Sequence, residues 1–231
     1  MKRFYKTVSV AAVDGGWEVR LDGRSVRSPA KAPLVFRSEP LAQAVAGEWE
    51  AQGERIDAHS MPMMQLASTA VDVVVKNRAA IVESVAKYAE TDLLCYRAEH
   101  PRELVDRQAR QWQPILDWAT LRYDAPLHVH AGLMPKPQPE DATRALRSAV
   151  DAHDDWMLSA LQNATAACGS LVLGLALVER RIDAAEAFEA SQVDETWQIE
   201  QWGEDAESTK RRAALRADIE ASRRFVDLLL G

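Results

Sequence analysis

An α+β fold is predicted: a small N-terminal antiparallel β domain with one helix, residues 1–62, followed by a larger all-helical C-terminal domain, residues 63–231. Three observations predict it. Early segments alternate apolar and polar side chains between tight-turn dipeptides, the period of half-buried strands. From Met63 onward the apolar spacing changes to three and four residues, the period of a helix face. The run Leu171–Val178 is apolar on nearly every side, as expected of a central helix in a bundle.

The elements follow in order. Thr7-Val8-Ser9-Val10 reads as a strand that ends at the turn signal Asp14-Gly15-Gly16. Trp17, Val19 and Leu21 alternate with Glu18 and Arg20, and Asp22-Gly23 turns the chain back into Ser25-Val26-Arg27. Pro29 and Pro33 bound a loop before Leu34-Val35-Phe36. The result is a meander too small to stand without a covering layer. Leu41, Val45, Trp49 and Gln52 share a helix face that starts at Ser38, Glu39 and Pro40. Trp49 is expected to lock this helix onto the sheet.

Helices then dominate. Leu66, Ala70, Val73 and Val74 suit one face, although Val73-Val74-Val75 also reads as a strand. Asn77 is placed to cap the next helix, with Ile81, Val85 and Tyr88 as its stripe. After His100-Pro101, Leu104, Gln108, Trp112, Ile115, Leu116 and Ala119 form a wide buried stripe. Residues 124–139 hold Pro126, Gly132, Pro135, Pro137 and Pro139 and read as a long loop. Helices are expected near 140–149, around Trp156 to Leu161, over Leu171–Val178, and from Asp183 with Glu186 completing a capping box. Leu215, Ile219, Ser222, Val226 and Leu229 stripe the last helix.

Composition narrows the function. The chain has 231 residues, net charge −7 and 27% charged residues, which argues against general nucleic-acid binding. The charge is uneven. Residues 1–60 carry nine Lys/Arg against eight Asp/Glu, whereas residues 179–231 carry eight against thirteen. The acidic C-terminal quarter suits a basic or mixed protein surface. No apolar targeting segment precedes the first strand, and the longest apolar run is too short to cross a bilayer. Cys95 and Cys168 stand outside any metal spacing and read as buried thiols of a reducing compartment.

No catalytic constellation emerges. His128 and His130 lack a third ligand nearby. His153-Asp154-Asp155 reads as a polar helix start rather than an acid–base pair. Neither a phosphate loop nor a nucleophile elbow is present. Most informative is Asp194-Glu195-Thr196-Trp197-Gln198-Ile199-Glu200-Gln201-Trp202-Gly203, which sets two tryptophans among three carboxylates. Such a stretch suits either a protein-binding surface or the seam that docks the last helix. Glu195 and Glu200, five positions apart, would diverge by roughly 140° on one helix. Glu200 and Glu204 would share a face only if the helix ran through Gly203. Capping or pairing with Arg211 or Arg212 is the structural alternative for these carboxylates.

Taken in order, several motifs resemble the ATP12 family of F1-ATPase assembly chaperones. They are Arg3-Phe4-Tyr5-Lys6, Leu21-Asp22-Gly23-Arg24, Glu48-Trp49 with Gln52, and Met61-Pro62 with Leu66 and Thr69-Ala70. Further on come Tyr88 with Thr91-Asp92-Leu93-Leu94-Cys95-Tyr96-Arg97, then Ser170-Leu171-Val172, then Gln198 to Gly203. Arg27-Ser28-Pro29 carries serine where the family pattern suggests threonine, and the loop at 133–139 matches least.

The resemblance implies a chaperone that binds the free F1 alpha subunit, prevents its aggregation and yields it to the beta subunit. It implies no catalysis, no cofactor and no metal. A length sufficient for its own core and the absence of a heptad repeat predict a monomer, and neither membrane insertion nor nucleic-acid binding is expected. The expected location is the bacterial cytoplasm, or the mitochondrial matrix for a processed organellar form. The candidate partner-binding residues are Glu195, Glu200, Trp202 and Glu204 of this acidic stretch. A functional glutamate is expected in this stretch, Glu195 first and Glu200 second. Trp49, Asp92 and Arg97 are expected to matter structurally or functionally. The alternative reading is a small-molecule enzyme with a site assembled at the domain interface.

Overall fold

A computed structural model describes residues 1–132 and 136–231; the first part of the 133–139 loop, Leu133, Met134 and Pro135, lies outside the described residues. The predicted class holds, with a small antiparallel sheet first and helices after it. The chain forms two compact units. One comprises 1–78, 155–160 and 224–231; the other comprises 79–154 and 161–223. The 62/63 boundary drawn from the sequence divides the chain by secondary-structure content, a different criterion.

In the first unit β1 (Val8–Val13), β2 (Gly16–Leu21) and β3 (Arg24–Ser25) form the meander. Val13 pairs with Gly16, which leaves the two-residue turn Asp14-Gly15. Gly16 is required by close approach, because a Cβ there would stand 2.2 Å from the Phe36 carbonyl oxygen. Trp17 and Phe36 exchange backbone hydrogen bonds at 2.9 and 2.7 Å, which places Phe36 beside β2. Helix α1 (Glu39–Glu50) packs on β1 and β2. Ser38 Oγ accepts from Leu41 N, and Leu41, Val45 and Trp49 are buried as the stripe requires. Phe36 meets Trp156 edge-on at 5.9 Å, and Trp156 stacks on Phe225 at 6.1 Å.

Helix α2 (Pro62–Thr69) continues through a π-helical turn, Ala70–Val74, into α3 (Val75–Ala86). The valine run is therefore helical rather than a strand, because its backbone groups bond within the continuing helix; Val74 faces inward while Val73 and Val75 are exposed. Asn77 is not a cap. It sits inside α3 with non-helical φ −128° and ψ 25°, and its Nδ2 donates to Val73 O at 3.1 Å. Beyond this kink the buried residues are Val82, Val85, Ala86 and Ala89, so the face is shifted from the Ile81–Val85–Tyr88 stripe.

The second unit is built on α4 (Arg102–Tyr123), whose buried face is Gln108, Trp112, Ile115, Leu116 and Ala119. Leu104, expected in the same stripe, is partly buried against that core. Two short strands, β4 (Tyr96–Arg97) and β5 (His130–Ala131), pair in parallel. Helices α5 (Glu140–Asp151) and α6 (Asp155–Cys168) precede α7 (Leu171–Val178), every residue of which is buried. Gly174 in α7 allows close approach to α6, since a Cβ there would meet Thr165 Oγ1 at 2.4 Å. Helix α8 (Ala184–Ser191) opens with the expected capping box between Asp183 and Glu186. Helix α9 (Val193–Trp202) stops at Gly203, φ 85°, and α10 (Ala206–Leu230) ends the fold. Ile219, Ser222 and Val226 of α10 are buried as predicted, and Phe225, absent from the predicted stripe, is buried with them.

Candidate partner-binding site

The residues singled out in the sequence fall into three groups. The first surrounds Asp92, which is fully buried. Its carboxylate accepts from Leu94 N at 3.1 Å, Val172 N at 3.1 Å and Ser170 Oγ at 2.7 Å. One side chain thus satisfies donors at two helical starts, the 3₁₀ turn Leu93–Cys95 and α7. Burial pushes the Asp92 carboxyl above the usual range, while Ser170 and the backbone N–H groups oppose that rise. Burial, reinforced by Asp92, also pushes Cys95 and Cys168 up to about 12. Both thiols therefore stay protonated near neutral pH and are poor nucleophiles. Arg97 Nε donates to Leu94 O at 2.9 Å, and its guanidinium lies 5.2 Å over the Trp112 ring. Asp92 and Arg97 brace the same turn.

The second group is Glu48, Trp49 and Gln52. Met61, at the N-cap of α2, makes no side-chain cap bond among the described residues. Glu48 takes that role from α1, accepting from Met63 N at 2.7 Å and Met64 N at 2.9 Å. Burial raises the Glu48 carboxyl despite these two donors. Trp49 is 9% exposed, and its backbone oxygen accepts from the Tyr5 hydroxyl at 2.5 Å. Tyr5 and Trp49 also meet edge-on at 5.6 Å. Gln52 Nε2 donates to Glu48 O and Ser60 Oγ, while its Oε1 accepts from Asp57 N. The Glu-Trp motif with its glutamine ties α1 to the start of α2.

The third group is the α9–α10 corner. Glu195 accepts from Ser208 Oγ at 2.9 Å and pairs with Arg211. Glu200, on another face of α9, forms a two-pronged pair with Arg107, both bonds at 2.8 Å. Arg107 holds the Glu200 carboxyl below the usual range, first by these hydrogen bonds. Glu204 lies beyond the helix and meets Arg212 at 3.5 Å. Gly203 prevents Glu200 and Glu204 from continuing one helical face. Trp202 is 79% exposed at the end of α9. The structure thus brings Glu200, Trp202 and Glu204 to the end of α9, while Glu195 faces the first turns of α10.

Arg107 was not singled out in the sequence. Its only signal is its place beside Gln108 on the flank of the α4 stripe. Asp194, which accepts from Gln108 Nε2 at 2.6 Å, anchors the other end of α9 to α4. Among the described residues no group of three or more His, Cys, Asp or Glu side chains could hold a metal. His130 is buried, and neither ring nitrogen has a hydrogen-bond partner among the described residues. No helix among the described residues is long and apolar enough to cross a membrane.

These residues thus build two buried carboxylate caps and one exposed tryptophan beside ion-paired carboxylates. The model of the ATP12 chaperone protein family matches residues 2–120. The chain belongs to this family, whose members are chaperones of ATP synthase assembly. It is 40% identical to Atp12 from Paracoccus denitrificans, with 99% of this chain and 98% of that one covered at a TM-score of 0.93. A protein of Agrobacterium tumefaciens is also 40% identical, with 99% and 86% covered and a TM-score of 0.93. The mitochondrial atp12 protein of Schizosaccharomyces pombe is 23% identical over 216 residues, 87% of this chain and 74% of its own length.

Proposed function

We propose that this chain binds the free F1-ATPase alpha subunit, protects it from aggregation and releases it to the beta subunit. The observation that carries this reading is Trp202, a large exposed aromatic set beside Glu200 and Glu204 at the end of α9. Exposed tryptophans ringed by polar groups serve as interface anchors. An unassembled subunit exposes apolar surface that its partner later covers, and that surface is an aggregation hazard. Glu195, Glu200, Trp202 and Glu204 contact the client in this reading. Their resting arginine partners can exchange for basic groups of the client. Release needs no chemical step, since mass action suffices when the alpha–beta contact is tighter.

The chaperone works as a monomer, one to one with alpha and without a cofactor. It does so in the bacterial cytoplasm, or in the mitochondrial matrix for an organellar relative. The test is binding of purified alpha subunit, followed by challenge with beta. Complex formation lost on adding beta is the expected result. A folded sample that neither binds alpha nor suppresses its aggregation rejects the reading. Glu195→Gln and Glu200→Gln should each keep the wild-type melting curve and weaken alpha binding. Unchanged binding in both rejects the carboxylates as contacts.

A further inference from the structure

The first unit carries a trough that the α9–α10 corner does not explain. Two depressions, of about 670 and 560 Å³, share Met1, Arg27 and Trp49 as lining residues. Each is of the size that takes several side chains. Met61, Met64, Ile56 and Val73 make the larger one apolar. Methionines re-pack readily around different side chains, and Val73 is exposed on the π-helical turn. The Trp49 indole N–H has no acceptor among the described residues, so a buried donor is unmet at this wall.

The free hydrogen-bonding capacity of the trough is asymmetric. Its carboxylates are already engaged. Asp72 accepts from Ser28 Oγ at 2.7 Å and Ala30 N at 3.0 Å. Asp22 accepts from Lys6 N, Thr7 N and Thr7 Oγ1. The guanidiniums keep most of their donors free. Arg27 donates through Nη1 to the neutral Lys31 O, and neither Arg27 nor Arg24 has an ion pair among the described residues. Both guanidiniums are exposed. An apolar floor with two guanidiniums whose donors are largely free, beside carboxylates whose acceptors are taken, complements a segment that carries apolar side chains and a carboxylate.

We infer that this trough is a second client-binding surface, which takes an extended apolar segment of the client bearing Asp or Glu. The segment's apolar side chains enter between Met61, Met64 and Val73, and its carboxylate meets Arg24 and Arg27. This surface complements an acidic, apolar segment, whereas the α9–α10 corner suits a basic one. The inference rests on the chaperone reading for the identity of the client, but the trough is testable without it.

Two arms separate the cases. In the first, immobilised 12-residue peptides that alternate Leu or Phe with Asp are compared with the same peptides carrying Lys. The wild-type chain should prefer the Asp set at least tenfold. Arg24→Glu/Arg27→Glu should abolish the preference, and Val73→Glu should weaken both sets. Equal binding of both sets, or unchanged binding in the variants, overturns the trough. All substituted positions are exposed, and a wild-type melting curve certifies each variant. In the second arm, a photo-crosslinker at position 73 is used with purified alpha subunit. Crosslinks to an apolar segment with Asp or Glu support the inference. Crosslinks to a basic segment, or to a second copy of this chain, overturn it. If wild-type protein ignores alpha yet keeps the peptide preference, the alpha reading fails and the trough stands.

Discussion

Trp49 and Trp202 stand in similar local sequence, each following a glutamate-containing helical turn, yet one is 9% exposed and the other 79%. The carboxylates show the same division. Asp92 and Glu48 are spent on backbone N–H groups at helix starts, whereas Glu195, Glu200 and Glu204 face arginines at the surface. A carboxylate that satisfies orphaned backbone donors has no substitute, because water does not reach them. A carboxylate paired with an arginine near solvent contributes little to stability and remains free to exchange partners. Residue type and motif membership do not distinguish the two roles; the partner does.

The largest effect that sharpens this contrast is expected at the tryptophans. Trp49→Ala should cost about 3–5 kcal/mol, the usual cost of truncating a buried large aromatic. Trp202→Ala should stay within about 0.5 kcal/mol, as for an ordinary surface substitution. Thermal melts and alpha binding measured on both variants test the division. Trp49→Ala that melts like wild type but loses alpha would make Trp49 a contact residue and dissolve the contrast.

Asp92→Asn comes next. The amide keeps one acceptor oxygen and adds donors where Leu94 N, Val172 N and Ser170 Oγ already donate. Each donor left unmet should cost about 1–3 kcal/mol. The loss should appear as early hydrogen exchange at the start of α7, with the α9–α10 corner unchanged. Wild-type exchange at Val172 would show that Asp92 is not the joint described above.

Much of this was legible beforehand, and the gaps have physical causes. The meander, the α4 stripe, the Asp183–Glu186 capping box and the all-apolar α7 were read from period and turn chemistry, which are local. The valine run misled because a π-helical turn and a strand can share apolar composition; only backbone bonding separates them. Asn77 misled because its amide braces Val73 O inside a helix. Among candidate site residues, the divergence of Glu195 and Glu200 and the stop at Gly203 followed from helix geometry. The Glu48 cap on α2 and the Arg107 clamp on Glu200 did not, since each joins segments whose proximity only tertiary packing decides.

The smallest predicted effect is a difference of sign in pH dependence. Glu200 is held below its ordinary value of about 4.3 by Arg107. Its contribution is therefore complete above about 4.3 and is lost as pH falls through the lower folded value. Asp92 is raised above its ordinary value of about 3.9 by burial. Its proton-linked contribution is complete below about 3.9 and declines as pH rises through the folded value. Carboxyl chemical shifts followed by NMR should give a Glu200 midpoint below the model-peptide value and an Asp92 midpoint above it. Arg107→Gln should return Glu200 towards the ordinary value and leave Asp92 unmoved. A Glu200 midpoint that ignores Arg107→Gln would mean that the clamp does not persist in solution. Glu200 would then present an unpaired carboxylate beside Trp202, and client binding there would need no exchange of arginines.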